Sequence, residues 1–332
     1  MHTEPSSIIQ VDLYTPENMP IIFKNCIANI IPRLSPRIQV KTFTDLKLAL
    51  PCDLIWDPHG GGGIGPIPAL LYEDLPYVMT VHGVVPLEIP WRYAGSVRDF
   101  VSILGEDRRK KRLWRLYGSK VNAVVTISYY ACESIIQHLP IESGAIFVAP
   151  NGISTSTFRR DSQAQNGRYF LHVSNGKSRK NILNIVRARK NVFSETGIRL
   201  VVKAPIQGTL PGGADLIRDH LSEHDLAELY RNAIFFVIAA FYGGFGLPIL
   251  EAMAVGCPVL TSNTTACNEI AGEAAIRVNP ADPSALASAM KRIYLDLDLR
   301  DELRQLGYSR IKQYSWETPA AVYDEVFRRV IA

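Results

Sequence analysis

Residues 235–262 read FFVIAAFYGGFGLPILEAMAVGCPVLTS, and few folds accommodate that order of residues. Phe235-Phe236-Val237-Ile238 is a continuous apolar run, as expected of a strand buried on both faces of a parallel sheet. Gly243, Gly244 and Gly246 make a loop poor in side chains. Pro248 stands near the start of a helix, where its missing N–H costs nothing, and Gly256 and Pro258 stop that helix. Val259-Leu260-Thr261 begins the next strand. Three glycines at a strand-to-helix junction let ligand atoms approach backbone N–H groups at the positive end of a helix, a natural site for an anion or a hydroxyl. Glu251 lies in a helix otherwise made of Leu, Ile, Ala, Met and Val. A carboxylate there is costly to bury unless hydrogen bonds are donated to it. No local side chain is expected to reach it.

The same alternation runs through the chain. Strands are expected at 8–14, 38–43, 53–57, 77–81, 123–127 and 146–148, with helices at 19–31, 106–118 and 129–138. Pro150-Asn151-Gly152 marks a turn, and the polar stretch 154–168 is the best linker. Beyond it, strands at 169–173, 199–203, 235–238, 259–261 and 275–278 alternate with helices at 180–194, 222–232, 266–271, 284–297 and 300–313. The end of the chain is a further helix. Hairpin turn signals are missing, which implies parallel, doubly wound sheets. At 332 residues the chain is long enough for two domains. Two Rossmann-like halves imply a cleft where the C-terminal edges of both sheets meet.

Composition narrows the classes. Apolar residues make up 47% and charged residues 20%, the balance of a soluble globular protein. No run approaches the ~18 apolar residues of a membrane-spanning helix. MHTEPSSIIQVDLYT has neither the basic nor the apolar region of a secretory signal. The five cysteines are odd in number and scattered without a CxxC pair, which argues for buried thiols, no zinc site and a reducing compartment. A cytoplasmic location is expected.

The formal net charge of +4 is unevenly spread. Arg108, Arg109, Lys110, Lys111, Arg112 and Arg115 fall on the basic helix 106–118, with Trp114 among them. One reading is a solvated helix face. The other is contact with anionic headgroups at a membrane surface, with Trp114 at the interface. One basic helix without a base-reading module does not make a nucleic-acid-binding protein. Arg179 and Lys180 follow strand 169–173 directly, at the start of a helix. Cations there oppose the helix dipole and call for an anion, and a diphosphate suits them. His82 closes strand 77–81, where ligand groups sit in such sheets.

GFGLPILEAMAVGCPVLTS is similar to the signature of retaining, nucleotide-sugar-dependent glycosyltransferases of family 4, which have the GT-B fold. TISYYACESI, FVAPNGI, SRKN, HDLAELYRNA, NEIAG and YSWE resemble further landmarks of that family, in the family's order. The resemblance covers most of residues 120–332. Among the first 110 residues it rests mainly on PYVMTVHG. It implies an α/β GT-B protein with an acceptor-side Rossmann-like domain at 1–155, a donor domain at 156–315, and a helix at 316–332 returning to the first domain. It implies transfer from a UDP- or GDP-linked sugar to a hydroxyl of a carbohydrate or lipid-linked acceptor, without a metal or further cofactor. By resemblance, Lys180 with Arg179 holds the diphosphate and Glu251 accepts from the ribose hydroxyls. Gly243, Gly244, Phe245, Gly246 and Leu247 line the donor, and His82 is the catalytic-side residue.

Three departures accompany the resemblance. Gly243 replaces the first glutamate of the family's Glu-x7-Glu, Gly83 replaces an aspartate after His82, and Ser174 replaces a glycine. The loss at 243 and 83 motivates a second reading, a binding or partner subunit with impaired catalysis. A third reading, an NAD-dependent oxidoreductase, rests on G-x-G-x-x-G at 60–65. Pro66 and Pro68 suit the following helix poorly, and the next strand ends without the ribose-binding acid, so this loop is assigned to the acceptor side. Asp296-Leu297-Asp298 is read as a solvated helix end, and Ser128 lacks a nucleophile elbow. The segment between Lys203 and Leu216 is short, consistent with one missing helix.

Overall fold

The computed structural model describes residues 8–45, 51–60, 65–72, 75–84, 88, 97–160 and 167–332. Parts of the 60–65 loop and of the 154–168 linker lie outside the described residues. The chain divides into two compact units, Met1–Gly152 with Trp316–Ala332, and Ile153–Ser315.

The first unit holds a six-stranded sheet, β1 (Ile9–Tyr14), β2 (Ile38–Phe43), β3 (Leu54–Asp57), β4 (Tyr77–Val81), β5 (Ala123–Thr126) and β6 (Ile146–Val148). The spatial order is β2-β1-β3-β4-β5-β6 and every pairing is parallel. Helices α1 (Ile21–Ile30), α2 (Val97–Tyr117) and α3 (Tyr129–His138) connect these strands. Ser128 caps α3, its Oγ accepting the Ala131 N–H at 3.0 Å, which is a structural role for that serine.

The second unit holds β7 (Tyr169–Val173), β8 (Arg199–Lys203), β9 (Asp215–Ile217), β10 (Ala233–Ile238), β11 (Val259–Ser262) and β12 (Ala275–Val278). Its order is β12-β11-β10-β7-β8-β9, again parallel throughout. Its helices are α4 (Ile182–Thr196), α5 (Glu223–Arg231), α6 (Leu247–Ala254), α7 (Thr265–Ala271), α8 (Pro283–Leu295) and α9 (Leu297–Ile311). The connection 204–214 carries no helix, and the short edge strand β9 follows it. Asp296 caps α9 through the Leu299 N–H at 2.9 Å, which accounts for the first acid of the Asp-Leu-Asp run.

Both sheets reverse their winding once. The chain runs outward from β7 to β8 and β9, then returns to the far side of β7 with β10. The connections leaving the C-terminal ends of β7 and β10 therefore run in opposite directions along the sheet, which makes this edge its topological switch point. That is where doubly wound sheets bind ligands.

The last helix, α10 (Glu317–Ile331), is part of the first unit. Its Tyr323 and Phe327 rings lie 4.7 and 5.5 Å from Trp56 of β3. The Trp56 indole N–H donates to Thr80 Oγ1 at 2.9 Å, and that hydroxyl lies 2.7 Å from the Tyr323 hydroxyl. A buried ring and a satisfied polar chain thus tie a segment from the end of the sequence to the middle of the first sheet.

Trp114 corrects an expectation. It is buried in the core of the first unit with Tyr77, Val124 and Leu139, so it is not an interfacial side chain. The opposite face of α2 carries exposed Arg108, Lys111, Arg112 and Arg115. Among the described residues, no helix is long and apolar enough to cross a membrane.

Phe327 is fully buried. Phe327→Ala is expected to destabilise the first unit by about 3–5 kcal/mol. Denaturant unfolding followed by tryptophan fluorescence should show a lower midpoint. An unchanged midpoint would contradict the docking of α10 described above.

Candidate functional site

The loop after β7 runs from Ser174 to Asn181. His172, fully buried on β7, donates from Nδ1 to the Val237 carbonyl at 2.8 Å, leaving Nε2 to accept from the Ser174 hydroxyl at 2.9 Å. Burial lowers this imidazole to about 4, so it stays neutral and keeps that tautomer. Ser174 Oγ in turn accepts the Gly176 N–H at 3.3 Å. The serine that stands where the family has glycine therefore braces the start of the loop.

Arg179 and Lys180 lie in a 3-10 turn, Ser178–Lys180, and α4 begins only at Ile182. This corrects the expected helix start at 180. The reason is Asn181, which takes the left-handed conformation at φ 61° and separates the turn from the helix. Its buried Nδ2 donates to the carbonyls of Ala239 at 2.8 Å and Pro280 at 2.7 Å. The Phe241 N–H donates to the Arg179 carbonyl at 2.9 Å. The cation-bearing turn is thereby fastened to the loop after β10. Arg179 and Lys180 are both half-buried, and burial lowers both below their ordinary values, with Arg179 adding to the effect at Lys180. Neither has a carboxylate partner among the described residues.

The loop after β10 leads to α6. Gly246, at φ 118°, is its N-cap residue, a conformation that side-chain-bearing residues rarely adopt. The N–H groups of Gly244, Phe245, Gly246 and Leu247 have no protein acceptor among the described residues. The Phe245 ring itself is buried, 6.1 Å from the Tyr314 ring, so this residue offers only its backbone. The Gly243 N–H is already used, donating to Thr265 Oγ1 at 3.2 Å. Thr265 holds φ 59°, an uncommon conformation for a β-branched residue.

Gly243 is filled in from the side. A Cβ on it would overlap Sγ of Cys267, which is fully buried on α7. Burial pushes the Cys267 thiol up, and neighbouring Lys180 draws it down. The thiol thus sits next to both Lys180 and Gly243, and a larger residue at 243 requires Cys267 to yield.

Glu251 is one and a half turns into α6. No local side chain reaches it, as expected, but a remote one does: the hydroxyl of buried Tyr230 on α5 donates to Glu251 Oε2 at 2.9 Å. Sequence gave no sign of this, since the two residues meet only when α5 and α6 lie side by side. Even so, burial pushes Glu251 up to about 7, with Tyr230 opposing and Glu223 reinforcing the rise. One donor does not fully replace water around this carboxylate.

His82 belongs to the first unit and is described there by itself. It follows β4, stacked on Phe23 of α1 with ring centroids 3.9 Å apart and planes 6° from parallel. Its Nε2 lies 3.1 Å from the Pro58 carbonyl. A carbonyl only accepts, so Nε2 carries the proton and Nδ1 is an acceptor. Burial lowers His82 to about 4, with His59 adding to the effect. At neutral pH this ring accepts a hydrogen bond and is a poor base. Behind it is a cavity of about 10 Å³, bordered by Phe23, Cys26 and Asn151, no larger than one water needs. The Gly60 carbonyl accepts the His82 N–H at 3.3 Å, and a Cβ at Gly60 would overlap the Thr80 carbonyl. This glycine is thereby explained by close packing on β4.

Two outcomes follow. Gly243→Ala is expected to destabilise the protein by about 1–3 kcal/mol through overpacking. Adding Cys267→Ala should recover part of that loss, and strictly additive effects in chemical denaturation would count against the contact. Glu251 has a folded value near 7 against an ordinary 4.5. Its contribution to stability is therefore present below about 4.5 and is lost as pH rises through 7. Glu251→Gln should accordingly gain about 2–3 kcal/mol relative to the parent between pH 4.5 and 8. A stability difference that does not change with pH would refute the shift.

Both halves of the chain are similar to known proteins. Residues 9–157 match the Glycosyltransferase Family 4 model, and residues 169–296 match the model of Glycosyl transferases group 1. O-antigen chain mannosyltransferase B of Escherichia coli is 32% identical over 163 residues, 45% of this chain and 42% of that protein. MMP alpha-(1->4)-mannosyltransferase of Mycolicibacterium hassiacum is 29% identical over 235 residues, 64% of this chain and 56% of that protein. The chain spans about half the length of these curated relatives. The crystal structure of Anabaena Alr3699/HepE in complex with UDP and glucose superposes with a TM-score of 0.74 at 14% identity, covering 97% of this chain and 100% of that one. The fold is therefore GT-B. Each half of the chain is thus a glycosyltransferase domain, family 4 in the first and group 1 in the second.

Proposed function

We propose that this chain transfers a sugar from a nucleotide-diphospho-sugar, UDP- or GDP-linked, to an acceptor hydroxyl. The observation that carries this reading is the pair Arg179 and Lys180, desolvated and without a carboxylate partner among the described residues, at the switch point between β7 and β10. Two such cations match a diphosphate, and the free N–H groups of residues 244–247 at the start of α6 add donors of the same sign. As the sugar–phosphate bond breaks, these groups offset the charge that develops on the leaving diphosphate. No metal is required in that role.

Glu251 supports the nucleotide half of the reading. Its carboxylate retains accepting capacity beyond the Tyr230 bond, and a ribose diol supplies two donors. In the first unit, His82 contributes a neutral acceptor for a hydroxyl. We further propose retention of anomeric configuration, and acceptors that are glycans or lipid-linked sugars. Mannose is the first sugar to test because the relatives are named as mannosyltransferases. Contact of basic helix α2 with a membrane surface is part of the same proposal.

One observation favours a second reading, a nucleotide-sugar-binding protein without efficient transfer. Position 243 has no carboxylate, and Cys267 occupies the space one would start from.

Calorimetry with UDP, GDP and their glucose and mannose conjugates tests binding. Lys180→Ala and Arg179→Ala should each weaken the best ligand about ten- to a hundredfold, as expected for one charge-assisted contact. A nucleotide-diphospho-sugar has no group titrating near neutrality, so affinity should fall below pH 7 as Glu251 takes up its proton. Glu251→Gln should remove that dependence. No binding by any of the nucleotides rejects the site. Binding with no transfer to any acceptor, measured in EDTA and with added Mg²⁺, selects the second reading.

A further inference from the structure

The first unit carries a second polar concavity, away from His82. It lies between the C-terminal halves of α2 and α3, has a volume of about 290 Å³, and is lined by Lys111, Arg115, Gln137, His138, Leu139 and Pro140. Helix α2 leads into the start of β5 and α3 into the start of β6. The pocket therefore sits at the N-terminal edge of the sheet, whereas His82 follows β4 at the C-terminal edge.

Its chemistry is one-sided. Lys111 and Arg115 are one turn apart on the exposed face of α2. Neither forms an ion pair with a described residue, and no carboxylate among the described residues lines the pocket. His138 comes from the facing helix. Its Nδ1 donates to the Ser134 carbonyl at 2.8 Å, so protonation would put a new donor on Nε2. Gln137 adds an amide. Two helices thus converge a lysine, an arginine, a histidine and an amide on a concave surface, with Leu139 and Pro140 as apolar wall. Leu116, beside Arg115, and Ile136, beside Gln137, are 55% and 44% exposed, leaving apolar surface next to the cations.

We propose that this pocket binds the phosphate group of a phosphomonoester or phosphodiester ligand, at a site separate from the proposed nucleotide site of the second unit. Lys111 supplies a point charge and Arg115 a planar pair of N–H donors, the combination that recognises phosphate oxygens. Carrying a proton on Nε2, His138 would add a further donor from the facing helix. The phosphate reaches the pocket on a soluble molecule or on a phospholipid headgroup, whose acyl region would meet Leu116 and Ile136.

The test uses the full chain with isotopically labelled histidine, followed by NMR at constant ionic strength. The probes are inorganic phosphate and glycerol 3-phosphate, with sodium chloride as control. Inorganic phosphate also suits Arg179 and Lys180, so the reading is taken locally, at the His138 ring. The expected result is a saturable shift of the His138 signals with phosphate but not with chloride. The variant Lys111→Ala/Arg115→Ala should weaken it at least tenfold while leaving UDP or GDP binding and thermal unfolding unchanged. Sedimentation with phosphatidylcholine vesicles, with and without phosphatidylglycerol, separates the sources. Retention only on phosphatidylglycerol vesicles, lost in the double variant, assigns a headgroup. Saturation by glycerol 3-phosphate without retention assigns a soluble ligand. Shifts in the parent chain that follow chloride as well as phosphate overturn the proposal. So does a double variant indistinguishable from the parent in both arms. The cations would then serve only to offset the C-terminal dipoles of α2 and α3.

Discussion

The two hydrogen bonds from Asn181 Nδ2 are the constraint on which the second unit's site depends. They span three loops that leave the C-terminal edge of one sheet, joining the turn after β7 to the carbonyls of Ala239 after β10 and Pro280 after β12. A backbone carbonyl at a buried loop has to be paired, and a left-handed residue has to be held in place by its surroundings. Asn181 meets both requirements at once. Because the turn is pinned, Arg179 and Lys180 remain half-buried where a free lysine and arginine would swing into water. Their desolvation, with no acid among the described residues to relieve it, is the feature on which the proposed diphosphate site rests.

Around that pin, each charged or strained group is held short of full satisfaction. Glu251 receives one hydroxyl from Tyr230 and still has spare acceptor sites. The backbone N–H groups of residues 244–247 point out of a helix start that gives them no protein partner. Thr265 accepts the Gly243 N–H from a conformation unfavourable to threonine, and Cys267 fills the volume beside that glycine. The change at 243 is therefore part of a local repacking that reaches Lys180 through the same thiol. His82 in the first unit shows a comparable economy. Phe23 and the Pro58 carbonyl leave it one orientation, one tautomer and one accepting nitrogen.

Much of this was legible in the residues alone. Continuous apolar runs such as 235–238, bounded by turn residues, read as strands buried on both faces, and their alternation with helices points to parallel sheets. Glycine and proline at 243–248 and 256–258 mark where α6 begins and ends. The residues proposed for the donor site, 179, 180, 244–247 and 251, fall near the strand ends where a doubly wound sheet places its ligand. What escaped was non-local. The three residues of β9 have too little pattern to read as a strand and exist because β8 offers an unpaired edge. The boundary of α4 moved because Asn181 is held left-handed by carbonyls 58 and 99 positions away. Trp114 reads as interfacial beside its cationic neighbours, yet its own face of α2 turns inward.

By itself, then, the sequence determined the elements, their parallel pairing and the residue types brought to the strand ends, since these follow from periodicity and local backbone chemistry. Only the tertiary structure decided what each of those groups experiences. Tyr230 reaches Glu251 because α5 and α6 lie side by side, and Cys267 crowds Gly243 because α7 turns back over the β10 loop. The protonation state of a carboxylate and the room beside a glycine depend on atoms remote in the chain. Burial and contact are properties of three-dimensional neighbours, which linear order does not contain.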